Sequence, residues 1–224
     1  MTGIVVVPSA SGLIRDEVYR TVVDRIVAGG LLPGDRLSER RLAAELGVGR
    51  MPVKEAIRRL ETEGFVSTRP RSGTVIATSV QDSVQDAVQV RAVLEGLAAG
   101  LVAAGSGAPI RAELADLVAR MRALSRPAAA SSPLSEVNGR FHELIRRCCG
   151  NRFIEVLPPA VSAVDGAVRR RALTDAAELR LGVREHAAIA ERIVDGDQRG
   201  AEECMRAHIL RSGAFVVRQL TVGR

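Results

Sequence analysis

The sequence predicts a mainly α-helical chain: a small N-terminal unit of helices and one hairpin over residues 1–78, then an all-α bundle of about six helices over 79–224. Three observations lead there. Apolar residues recur at helical spacing along most of the chain. Strand-like alternation is confined to Phe65–Ala77, around a Pro/Arg/Ser/Gly turn. Glycine and proline pairs punctuate the helical pattern at intervals that suit short connections.

After a flexible lead of residues 1–12, Ile14, Val18, Val22, Ile26 and Val27 mark a first helix, stopped by Gly29-Gly30. The turn Leu31–Asp35 follows. Ser38 can cap a short helix through Leu46, with Glu39 favourable in its first turn. Gly47-Val48-Gly49 form a tight turn, and Arg50 to about Gly64 form the next helix, followed by the hairpin. Beyond a joint at Thr78–Asp82, helices are expected near 81–104, 110–125, 133–149, 152–172, 175–195 and 198–221. Ser132-Pro133 is a start signal, with proline in a first helical turn.

Composition narrows the function. Hydrophobic content of 46% is ample for packed cores, and a net charge of +6 suits a polyanionic partner. Only 2% of residues are aromatic, which argues against stacking-based recognition of single strands. Cys148, Cys149 and Cys204 offer neither a disulfide framework nor a zinc-knuckle spacing, as expected in a reducing cytoplasm. The first residues lack the pattern of a signal peptide. The apolar stretch Ala92–Ile110 holds Glu95 and several glycines, so it reads as a packed helix and no membrane is expected.

The helix from Arg50 carries two faces. Val53, Ala56, Ile57 and Leu60 share one arc, while Arg50, Lys54 and Arg58 share its neighbour. Its first turn, Arg50-Met51-Pro52, tolerates proline because those N–H groups have no intrahelical partner, and free N–H groups suit a phosphate. A short helix, a turn and a basic helix match the geometry of a major-groove reader. Arginine can hold a guanine edge with two hydrogen bonds, and Lys54 can reach a phosphate or a base acceptor. Arg69 and Arg71 at the hairpin tip can touch the DNA backbone or minor groove. The plainer reading is a solvated helix face, with Glu61 paired back to Arg58.

The chain holds three histidines, His142, His186 and His208, each on an apolar stripe. His186 lies about ten residues before the Gly196-Asp197 turn and His208 about eleven after it. At ~1.5 Å rise per residue the two rings stand level across an antiparallel hairpin. Asn138 and His142 share a face at i, i+4. Together they can form a site of three imidazoles and one oxygen for zinc, nickel or another first-row metal. Core packing of each ring is the alternative. A three-histidine metal site is also a hydrolytic arrangement. Yet there is no HExxH motif, and Glu143 and Glu185, though next to histidines, are expected on other faces.

The run LLPGDRLSERRLAAELGVGRMPVKEAIRRLETEGFVSTRPRSGTVIA resembles the winged helix-turn-helix of GntR-type bacterial transcription regulators, over Leu13 to about Ala77. That resemblance implies DNA contacts by Arg40, Arg50 and Lys54, with Gly73 shaping the wing. Gly49 stands where such proteins often have a Ser or Thr cap, and Met51 where a small polar residue is common. VRAVLEGLAAGL, FHELIRRCCGN and REHAAIAERIVDGDQRGAEECMRAHI resemble the helical FCD effector domain of the FadR branch, over roughly Asp82 to Val217. This implies a divalent metal, zinc first and nickel or manganese next, on Asn138, His142, His186 and His208; Asn138 replaces the usual aspartate. It also implies open metal positions for a small carboxylic acid effector. Arg91 either pairs with that anion or forms a surface ion pair with Glu95. The expected protein is a cytoplasmic homodimeric regulator, a repressor, that reads a palindromic operator.

Overall fold

The computed structural model describes residues 10–69, 73–105, 108–125 and 131–222. The chain forms two compact units, divided between Ser83 and Val84. In the first, α1 (Ala10–Val27), α2 (Glu39–Leu46) and α3 (Arg50–Thr62) precede the hairpin β1 (Val66–Arg69) and β2 (Gly73–Ile76). Val18, Tyr19, Val22, Val23 and Ile26 bury one stripe of α1, and Val53, Ala56, Ile57 and Leu60 bury the matching stripe of α3. These two helices pack together, and α2 closes onto α3. Ser38 caps α2 by accepting a hydrogen bond from the Arg41 N–H at 3.3 Å. Gly47 ends that helix at φ +64°, a left-handed conformation that glycine adopts without a steric penalty.

The hairpin pairs Val66 with Ile76 and Arg69 with Gly73. The loop before α2 joins its outer edge: Arg36 bridges Val75, and the Leu37 N–H donates to the Thr74 carbonyl at 2.9 Å. Phe65, Val66 and Ile76 bury the inner face. Gly73 sits at φ +74° and is exposed, so it can turn the wing back on itself. Arg71, expected at the wing tip, lies outside the described residues.

Among the described residues, the regular elements of the second unit are all helices: α4 (Val80–Gly105, whose first turn belongs to the first unit), α5 (Ala108–Leu124), α6 (Ser131–Cys148), α7 (Arg152–Glu155), α8 (Pro159–Ala172), α9 (Ala176–Val194) and α10 (Gln198–Val222). The single helix expected over 152–172 is broken. Leu157 precedes Pro158, which disfavours helical backbone at Leu157, and Pro159 starts α8 where its missing N–H costs nothing. Helix α9 packs on α5 and α10, and α8 on α6 and α10. The hairpin of α9 and α10 turns at Gly196, φ +74°.

Helix α4 is long and apolar enough to cross a membrane by length and composition alone. However, 61% of its most apolar window is buried inside the protein, and it holds the charged pair Arg91 and Glu95 at its buried face. Gly96 lets α10 come close, since a Cβ there would lie 2.3 Å from Arg206 Cγ.

Candidate metal centre and nucleic-acid interface

The face of α3 away from its buried stripe is exposed at Arg50, Met51, Lys54 and Arg58, with Pro52 half-buried beside them. Gly49 supplies no side-chain cap, so the first N–H groups of α3 stay free of a capping side chain and open to an anion. Arg40 is exposed on α2. The Glu61–Arg58 pair of the plainer reading does not form; Glu61 accepts a hydrogen bond from the Thr68 N–H at 2.8 Å and ties α3 to the wing. Arg59, next in sequence to Arg58, faces inward. It lies over the Tyr19 ring at 4.1 Å and pairs with Glu63 at 3.0 Å and Asp16 at 3.4 Å. Tyr19 also donates to Glu63, and burial, then that carboxylate, pushes its hydroxyl above the ordinary tyrosine range. The basic helix is thus clamped to α1 from behind while its other arginines face outward.

In the second unit, α6 carries Asn138 and His142, α9 carries His186 and α10 carries His208. The rings converge: centroids are 5.1 Å apart for His142 and His186, 4.4 Å for His186 and His208, and 5.5 Å for His142 and His208. One ring nitrogen from each falls within 4.8 Å of the others. All three rings are buried.

Hydrogen bonds fix the tautomers. His186 Nδ1 lies 2.6 Å from the Gly182 carbonyl, which can only accept, so Nδ1 carries the proton. His142 Nδ1 lies 2.5 Å from Glu95 Oε2, and His208 Nδ1 lies 2.7 Å from Glu185 Oε2. Burial alone would raise the Glu95 pKa. The guanidinium of Arg91, followed by His142 and Arg146, instead holds it well below the usual carboxylate range. Glu185 is likewise held low against its partial burial by His208 and Arg211. Both are ionised acceptors, so Nδ1 is the donor in each pair; His142 and His186, held neutral by burial, each present a lone pair at Nε2. His142 Nε2 and His186 Nε2 then face one another at 3.1 Å. Two lone pairs at that distance repel unless a cation or proton lies between them, so the donor set fits a metal. Burial pushes the His142 pKa down to about 4 and, followed by the nearby histidines, that of His186 well below 6.5, which keeps both rings neutral as ligands must be.

Asn138 shares a cavity with His186 and His208. Its Oδ1 is buried and accepts no hydrogen bond among the described residues. Arg91 lines the same cavity, and its ion pair with Glu95 is buried, not at the surface: Nε lies 2.9 Å from Glu95 Oε1 and Nη1 2.9 Å from Asp165 Oδ1. Its Nη2 is buried and lacks a partner among the described residues.

Several side chains here had no local signal in the sequence. Glu185, on a flank of α9 rotated away from His186, holds His208 on the neighbouring helix. Arg211 in turn clamps Glu185, with Nε 2.6 Å from Oε1, and reaches Glu178. Arg146 Nη1 donates to Glu95 Oε1 at 2.9 Å.

Comparison with known proteins agrees with both halves. The family model for bacterial regulatory proteins of the gntR family matches residues 14–76, and the FCD domain model matches residues 86–211, more than half of the chain. An uncharacterized HTH-type transcriptional regulator of Mycobacterium tuberculosis is 39% identical over 62 residues, 28% of this chain and only 25% of that relative. An uncharacterized HTH-type transcriptional regulator in an unstable DNA locus of Streptomyces ambofaciens is 27% identical over 195 residues, 87% of this chain and 81% of its own length. The solved structure of Escherichia coli McbR/YncC shares the fold, with a TM-score of 0.64 and 21% identity over 92% of this chain and 98% of the other. The chain belongs to the GntR family of bacterial regulatory proteins, DNA-binding transcription regulators, with the FadR-like architecture in which an FCD domain follows the helix-turn-helix.

Proposed function

We propose that this regulator is a repressor whose grip on operator DNA is set by a small carboxylic acid bound at or near a metal in the FCD domain. One observation carries the reading: three buried imidazoles converge, with one ring nitrogen of each within 4.8 Å of the others and each Nδ1 held by an acceptor. Acceptors held at Nδ1 in this way orient metal-ligating histidines. His142, His186, His208 and the orphaned Asn138 Oδ1 would hold the ion. Three nitrogens and an oxygen suit zinc, with nickel or manganese as alternatives. When bound, the ion would offer an open coordination position to a carboxylate. Arg91 Nη2, buried and without an acceptor among the described residues, gives that anion a hydrogen-bond donor in the same cavity.

Arg40, Arg50, Met51, Pro52, Lys54 and Arg58 make up the DNA-reading surface, with Arg71 and Gly73 at the wing. In a homodimer two such surfaces address the halves of a palindrome, and the half-sites fix their separation. An acid that favours one arrangement of the helical bundle alters that separation, and thereby the affinity. The protein works in the cytoplasm, where its DNA is.

The hydrolase alternative loses ground on chemistry. The carboxylates nearest the rings, Glu95 and Glu185, are engaged at Nδ1, on the side of each ring away from the converging Nε2 atoms. Neither is placed to activate a water at the ion.

The test is operator binding by purified, metal-assayed protein with and without a panel of small acids. The reading expects stoichiometric metal and at least one acid that changes operator affinity tenfold or more. Equal affinity under every acid would overturn effector control, and metal-free protein with normal acid response would overturn the metal's part in it.

A further inference from the structure

The chamber lined by His186, His208 and Asn138 is small, about 30 Å3. At roughly 10–15 Å3 per water, that is room for about two waters. On the outer side of α6 and α8 lies a much larger cleft of about 830 Å3, within the ~300–1,000 Å3 range of ligand pockets. Two side chains, Arg169 and Leu173, line both spaces. They are the partition between them.

Arg169 holds this position because residue 139 has no side chain. A Cβ at Gly139 would lie 2.6 Å from Arg169 Nη1, so the guanidinium rests directly on α6, beside Asn138. One carboxylate holds it there, Asp165 Oδ2 at 3.1 Å from Nη2. Its Nε–H is buried and has no hydrogen-bond partner among the described residues. Asp165 is already shared with Arg91, 2.9 Å away on its other oxygen. Arg146 repeats the pattern, with a buried Nε lacking a partner among the described residues. The walls of the cleft carry four arginines, Arg140, Arg146, Arg169 and Arg170, among Glu136, Glu143 and Asp165, so an anion entering it meets several guanidinium groups.

Building on the carboxylate-effector reading above, we propose that the α6–α8 cleft seats a di- or tricarboxylate and that Arg169 is its positioning gate. The guanidinium exchanges Asp165 for a ligand carboxylate. Its departure from Gly139 joins the cleft to the histidine chamber. A polycarboxylate is favoured over a monocarboxylate because one group can engage Arg169 while a second meets the outer arginines.

The experiment uses zinc-loaded full-length protein and three probes: citrate, acetate and inorganic phosphate, titrated calorimetrically. Citrate should bind wild type at least tenfold tighter than acetate. Arg169→Ala and Arg169→Lys should each weaken citrate at least tenfold with zinc content and helical signal unchanged; the lysine variant keeps the charge and tests the fork itself. Opening the partition should also let the neutral chelator 1,10-phenanthroline remove zinc several-fold faster from Arg169→Ala than from wild type. Unchanged citrate affinity in both variants would overturn the gate while leaving effector control standing. If neither citrate nor acetate binds wild type, the gate and the carboxylate reading fall together. Phosphate binding as tightly as citrate would overturn the assignment to polycarboxylates.

Discussion

His142 Nδ1 and Glu95 Oε2 meet at 2.5 Å although the residues stand 47 positions apart in sequence, and neither side chain reaches solvent. Glu95 sits at the centre of a charge cluster: Arg91 and Arg146 both approach its Oε1 at 2.9 Å. A single carboxylate therefore fixes the tautomer of one histidine and offsets part of the charge of two guanidinium groups, Asp165 sharing Arg91 with it.

Glu95→Gln keeps the shape and removes the charge. Breaking a buried ion pair from one side costs ~3–5 kcal/mol, because the partner charges remain. A weaker acceptor at His142 Nδ1 should also lower metal affinity by roughly 10–100-fold. Urea denaturation and chelator competition measure the two effects separately. An unchanged urea midpoint would show that Arg91 and Arg146 are neutralised by other groups.

On the DNA side, Arg50→Ala should cost about 1–3 kcal/mol against a specific operator and relax sequence choice. Lys54→Ala, if it meets a phosphate, should weaken all duplexes alike and reduce the salt dependence by about one counterion. Arg59→Ala, behind the reader face, should affect folding stability more than sequence choice, since it binds Tyr19, Glu63 and Asp16. Fluorescence anisotropy with operator and scrambled duplexes at several salt concentrations distinguishes the three behaviours.

The meeting of His186 and His208 was legible in the sequence because one glycine turn joins their helices, and equal distances from that turn put them level. The inward stripe of α3 was legible for the same local reason, a helical period. Glu95 and Glu185 were not. Glu95 reaches His142 across two helices, which no local spacing encodes. Glu185 adjoins His186 and is rotated ~100° around α9 from it; only the packing of α10 shows that this flank faces His208. The break at Leu157 was present as Pro158-Pro159, but the apolar period through Val161, Val164 and Val168 masked it. Tertiary packing decides which carboxylate meets each Nδ1, and periodicity reads only which face of its own helix a histidine takes.

Acid should destabilise protein stripped of metal by chelation. His142 has a pKa of about 4 when folded, with Glu95, Arg91, His186 and His208 around it. In the unfolded chain it returns to ~6.5. Between these values the unfolded state binds a proton that the folded state refuses, so stability falls as pH falls. The slope approaches ~1.4 kcal/mol per pH unit for this one group and flattens below the folded pKa. His186, shifted in the same direction, steepens it. Urea midpoints at pH 7.5, 6 and 5 should decline, and zinc should delay the decline because the ion competes with protons for the same nitrogens. A flat profile from pH 6.5 to 5 would mean that the rings are not held neutral.

Close packing between α4 and α10 gives a prediction with an internal control. A Cβ at Gly213 would lie 2.4 Å from Val88 Cγ1, and Val88 is buried and β-branched, with little freedom to rotate. Gly213→Ala gains up to ~1 kcal/mol of helix propensity but overpacks the contact, at ~1–3 kcal/mol. The net effect should be a loss. Gly182, in the interior of α9, has nothing within 4 Å of where its Cβ would stand. Gly182→Ala therefore keeps the helix gain alone and should stabilise by ~0.4–1 kcal/mol. Its carbonyl still accepts from His186 Nδ1, because the substitution leaves the backbone in place. Opposite signs in thermal denaturation would show that the α4–α10 spacing is set by the missing side chain at 213. A stabilising Gly213→Ala would show that the two helices can move apart without penalty.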